Sequence, residues 1–159
     1  MTADSTRSKL LSLAEKIPGY SGYAAAEKRR AEDRELRKLL AERLGECKAL
    51  LSEAMKRLRR NGQLDLMGMV DGLNQELDLA QQKTVSAFEG YSGWFDQNTV
   101  DERKLAEVVE LDESLVSLVD RIRETLPTHV DSVEDITQSG ELLATYVERF
   151  GRRDRILHG

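Results

Sequence analysis

The chain has 159 residues, 40% hydrophobic and 33% charged, with a net charge of −5, two prolines and one cysteine. That balance fits one domain of elongated helices that expose much surface for their volume. It excludes a spanning helix, since no run of about 18 apolar residues occurs. Residues 1–16 lack the continuous apolar stretch of a secretory signal, and Cys47 alone forms no internal disulfide, in keeping with a cytoplasmic setting.

A short helix is predicted over Ser5–Lys16 and stops before Ile17-Pro18-Gly19, because proline disfavours helical geometry in its predecessor. The tetrapeptide Gly19-Tyr20-Ser21-Gly22 follows, with Tyr23 after it, and it recurs as Gly90-Tyr91-Ser92-Gly93 before Trp94-Phe95. Six of the eight aromatic residues sit in or beside these two helix-breaking segments. Tyr23–Arg60 reads as one long helix with the seam Leu36, Leu40, Leu44, Cys47, Leu51, Ala54, Leu58, whose steps of three and four stay on one face. Asn61-Gly62 ends it.

A second helix is predicted over Leu64–Phe88 on the seam Leu66, Val70, Leu73, Leu77, Ala80, Thr84. Asp101 is the expected N-cap of a third, which carries Leu105, Val108, Leu111, Leu115, Leu118, Ile122 and Leu126 and ends at Pro127. A fourth starts near Asp131 or Ser132, runs on Val133, Ile136, Gly140, Leu143, Val147 and Phe150, and is capped at Gly151. The expected fold is therefore all-α. It is an antiparallel bundle with one long helical hairpin and a short N-terminal helix, one domain over 1–151 with a basic tail over 152–159.

Charge is segregated along the chain. Residues 27–60 carry twelve basic and seven acidic side chains, 61–148 five basic and nineteen acidic, and 149–159 four basic and one acidic. Packing the basic helix against the acidic ones would neutralise it; the alternative leaves a basic face for an anionic partner. Nucleic acid is disfavoured, since the basic face has no interleaved aromatics and the rest of the surface is acidic. Neither His129 nor His158 lies in the Glu-x-x-His motif of a di-iron bundle, and two histidines with one cysteine are too few for zinc. No phosphate-binding glycine loop or nucleophile–histidine pattern is present. No cofactor, metal or catalytic residue is expected.

Two readings of the aromatic turns stand open. Glycines permit the turns while the aromatics seal apolar seams at the end of the bundle. Alternatively the aromatics form a recognition surface, since Tyr and Trp anchor many interfaces. Tyr20 lies 41 residues before Asn61 and Tyr91 lies 30 after it, so straight helices place both turns toward one end, offset by about 16 Å. Arg30, Arg34 and Arg37 follow the first turn, spaced to pair with Glu27 and Asp33 along the helix, or to reach the acidic later helices and fix the bundle register, or to meet an anionic partner.

Ile17-Pro18-Gly19-Tyr20-Ser21-Gly22-Tyr23, followed by Glu27, Arg29, Arg30, Asp33, Leu36 and Arg37, resembles the opening of a family of small helical prokaryotic proteins. Tyr91 to Asp96 is similar to a later segment of the same family. The resemblance covers residues 17–37 and 90–120 and implies an architecture without assigning a catalytic residue. The resulting expectation is a non-enzymatic interaction or scaffold module for a protein partner. Its recognition residues would be Tyr20, Tyr23, Arg30, Arg34, Arg37, Tyr91, Trp94 and Phe95. The competing expectations are a membrane-surface or membrane-stress protein using residues 5–16 and the basic helix, and a ligand-binding bundle or enzyme with a cavity under the turns. Long heptad seams also suit a homo-oligomer.

Overall fold

The computed structural model describes residues 3–86, 101–126 and 130–158. Among these residues the fold is all-α: α1 (Ala3–Lys16), a 3-10 turn (Ala26–Lys28), α2 (Arg29–Arg60), α3 (Leu64–Ser86), α4 (Glu102–Thr125) and α5 (Val133–His158). No described helix is long and apolar enough to cross a membrane.

The long helices pack around a ring in the order α2, α3, α5, α4, and α1 lies against α4. Hairpins α2–α3 and α4–α5 are antiparallel. Between the hairpins, α2 runs parallel to its neighbour α4, because the pairs Arg43–Asp120 and Glu46–Arg123 advance together along both. Helices α3 and α5 are parallel for the same reason, with Gly140 beside Glu76 and Thr84 bonded to Tyr146. The long hairpin is built on the expected α2 seam, whose residues Leu36 to Leu58 are all buried. Each such leucine contributes about 1.5–3 kcal/mol of burial. The α2 bases also meet acidic residues on neighbouring helices, as in Lys48–Asp78 and Arg43–Asp120, and Arg57 meets Asp131 just before α5.

Asp101 caps α4, its side chain accepting from the Arg103 N–H at 3.0 Å. Two boundaries differ from expectation. Helix α2 begins at Arg29 and not at Tyr23, because the chain passes through positive φ at Gly22 and Tyr23. Helix α5 does not stop at Gly151. It runs on to His158 with Arg153 and Leu157 buried, so residues expected as a tail form its last two turns. A mid-helix glycine costs about 1 kcal/mol, less than the roughly 1.5–3 kcal/mol contributed by burying Leu157. Phe88, Pro127, His129 and the second Gly-Tyr-Ser-Gly lie outside the described residues.

Candidate functional site

The first glycine-aromatic turn is clamped by the start of α2. The Tyr20 N–H donates to the Ile17 carbonyl at 3.2 Å with Pro18 and Gly19 between, and Gly19 has φ +78°, which matches a type II turn. The Glu32 carboxylate then accepts from the Ser21 N–H, from the Ser21 hydroxyl at 3.0 Å and from the Tyr23 N–H at 3.2 Å. Arg29 Nε donates to the Tyr23 carbonyl at 2.8 Å. Two residues one helical turn apart thus satisfy both kinds of backbone group in the loop. Tyr23 is held at φ +64°, a conformation that costs a non-glycine residue about 1–2 kcal/mol.

Both tyrosines of the turn point into the bundle. The hydroxyls of Tyr20 and Tyr23 both donate to Asp112 Oδ2, at 2.9 Å and 2.5 Å, with the rings edge to face. Arg153 Nε donates to Asp112 Oδ1 at 2.6 Å, and its Nη2 donates to the Tyr23 hydroxyl at 2.8 Å and pairs with Asp33 at 2.7 Å. Arg37 Nε donates to Asp33 at 2.9 Å while its Nη2 reaches Asp154 at 3.0 Å. Two arginines and two aspartates therefore balance inside the bundle, with α2 and α5 joined across the diagonal of the ring. Arg153 is fully buried, and its Nη1 has no hydrogen-bond partner.

The electrostatics follow from burial and pairing. Burial alone would raise the Asp33 carboxyl, but Arg153 and Arg37 outweigh it and hold that carboxyl below its ordinary value. Burial dominates at Asp112 and pushes it up, against the opposing pull of Arg153 and the three donors. Burial also raises the hydroxyls of Tyr20 and Tyr23, reinforced in both by the Asp112 charge. These phenols stay neutral donors at physiological pH.

A different feature opens on the opposite side of the bundle from α2. Helices α3 and α5 approach with small residues at Ala80, Gly140 and Ala144, leaving a groove of about 570 Å³. Leu143 and Val147 line it, and Leu79 stands on its wall 59% exposed. Its charged rim is Glu76, Glu141 and Glu148 with Lys83. A further hollow of about 250 Å³ shares Ala80, Lys83 and Val147 and continues toward Asp154. There the groove meets the buried network: Phe150 lies under the Arg37 guanidinium, 5.1 Å from ring centre to carbon, and Tyr146 bonds Thr84 at 2.7 Å. The hollow of about 490 Å³ beside α4 and α5 carries charges of both signs, of which Lys9–Glu110 and Arg152–Glu107 pair, and it shares Glu148 with the groove.

Of the residues singled out in the sequence, Tyr20, Tyr23 and Arg37 are brought together, but inside the bundle. Arg30 is half-buried and Arg34 exposed. Tyr91, Trp94 and Phe95 lie outside the described residues. Sequence reasoning missed Glu32, Asp112, Arg153 and the α3–α5 groove. Asp112 and Arg153 carried a signal, since each occupies a core position of its helix seam. Among the described residues no cluster of three His, Cys, Asp or Glu side chains could hold a metal. Comparison with protein-family models, curated proteins and solved structures finds no match to this chain.

Proposed function

We propose that the protein is a non-enzymatic interaction module that receives a helix of a protein partner in the α3–α5 groove. The observation that carries this reading is the groove itself, with Leu79 exposed on its wall and Leu143 and Val147 within it. An apolar channel between two rigid parallel helices matches the helix-in-groove mode of recognition. The buried network supports the role by fixing the frame: Tyr20, Tyr23 and Arg37 act as internal ties and not as contact residues. The lone buried thiol of Cys47 accords with a cytoplasmic setting.

The test is a photo-crosslinking side chain placed at Leu79 in the native cell, with the exposed position Glu53 as control. A discrete protein adduct is expected from position 79, absent from position 53, and lost when Ala144→Trp fills the groove. An adduct that survives Ala144→Trp in a folded protein removes the reading.

A further inference from the structure

We infer that the α3–α5 groove selects a cationic amphipathic helix, an inference that rests on the docking reading above. Several acidic side chains beside α2 and α4 are met by bases: Asp78 by Lys48, Asp120 by Arg43, Asp131 by Arg57, and Glu46 by Arg123. Most of those bases come from α2. The groove opens between α3 and α5, and α2 reaches it only at its far end, where Arg37 pairs with Asp154. Glu76, Glu141 and Glu148 are exposed there, and none is in an ion pair among the described residues. Among the described residues, Lys83 is the single cation of the rim. An apolar channel flanked by unneutralised carboxylates complements a helix with one apolar stripe bordered by Lys or Arg.

Length agrees with that occupant. The groove and its continuation run beside α5 from Thr137 to Asp154, about 25 Å at 1.5 Å per residue, which accommodates four to five helical turns. The acidic rim opposes an anionic membrane surface on this face. A second copy of the chain is a poorer fit, because the apolar face of its own basic helix, from Leu36 to Leu58, is already buried in its core.

The probe is an 18-residue amphipathic helix of Leu, Ala and Lys, labelled for fluorescence anisotropy, beside a counterpart with Glu in place of Lys. The full chain should bind the cationic peptide in a salt-sensitive manner and leave the acidic one free. Combining Glu76→Gln, Glu141→Gln and Glu148→Gln should weaken binding about tenfold, as expected from three partly screened ion pairs. Ala144→Trp should weaken it by at least as much, and Ala144→Leu serves if the tryptophan variant does not fold. Equal binding to wild type and the Ala144 variants would mean adsorption to an acidic surface and would overturn the inference. So would equal binding of both peptides, no binding of the cationic one, or a dimer in sedimentation that Ala144→Leu dissolves. Loss of the cationic preference with the position-79 adduct intact sinks the charge assignment alone; an adduct indifferent to Ala144→Trp sinks the docking reading.

Discussion

Arg153 Nη2 donates to the Tyr23 hydroxyl at 2.8 Å, joining residues 130 positions apart in the chain. The first irregular turn and the final helix are thus tied through one guanidinium that also holds Asp112 and Asp33. Such a tie adds little net stability over a well-packed apolar core, but breaking one side of it is costly. Tyr23→Phe should lower stability by about 1–3 kcal/mol, since it leaves buried polar groups with fewer partners. Arg153→Met should cost about 3–5 kcal/mol. Adding Asp112→Asn to Arg153→Met should cost less than the sum of the two changes, because the uncompensated carboxylate is gone. Urea unfolding of the wild type, Arg153→Met, Asp112→Asn and their combination checks this; strict additivity would contradict a coupled network.

The same charges set the acid limit of stability. Asp33 titrates lower in the folded state than in the unfolded chain, where its value is near 3.9. Its contribution is therefore present above about pH 4 and is lost as pH falls through the folded value. Asp112 has the opposite sign: raised by burial, it favours the folded state most at low pH, and that contribution fades as pH rises through its folded value. Asp33→Asn should flatten the fall of the urea midpoint between about pH 5 and pH 3. An unchanged slope would show that Asp33 does not control it.

At alkaline pH the tyrosines take over. Burial raises Tyr20, Tyr23 and Tyr146 above the ordinary value near 10, so each favours the folded state below that pH, and the benefit is lost as pH rises further. Of the four tyrosines in the chain, three should ionise only together with loss of helicity. Phenolate absorbance and circular dichroism recorded on the same samples test this. Independent ionisation of all four near pH 10 with helicity intact would refute it.

Two glycines of the first turn separate backbone strain from steric fit. Gly19 and Gly22 have φ +78° and +68°, but a Cβ at Gly19 meets nothing within 4 Å, whereas at Gly22 it would lie 2.4 Å from Leu10 Cδ1 and 3.2 Å from Val109 Cγ2. Gly19→Ala should cost about 1–2 kcal/mol, the backbone term alone. Gly22→Ala should cost more, because the turn is sandwiched between α1 and α4 and Leu10 must move. Equal losses in thermal unfolding would place α1 elsewhere.

Cys47 sits on the α2 seam with its thiol pushed up to about 12 by burial. Thiol reagents at neutral pH should label the native chain far more slowly than the urea-unfolded chain. Rapid labelling of the native chain would mean that α2 opens locally at its centre.

The bundle was legible because its seams keep steps of three and four over long stretches, as from Leu36 to Leu58. The network was legible only in outline. Tyr20, Tyr23 and Arg37 stand out in the sequence, but the positive φ at Tyr23 that accompanies its inward position is not revealed by composition. Arg153 was hidden by Gly151, whose weak helix propensity reads as a stop, although the spacing Leu143, Tyr146, Phe150, Arg153, Leu157 continues the core face through it. The groove could not be read at all from one helix, because it arises where Ala80 of α3 faces Gly140 and Ala144 of α5. That pairing is set by the parallel packing of two helices separated in the chain.

Recognition by α3 and α5 is decided by hydrogen–deuterium exchange of the full chain with and without the partner recovered as the position-79 adduct. Added protection is predicted over residues 76–83 and 137–148, with the start of α2 around Arg30 and Arg34 unchanged. Protection confined to the start of α2 and the first glycine-aromatic turn would rule out the α3–α5 groove and return recognition to that end of the bundle.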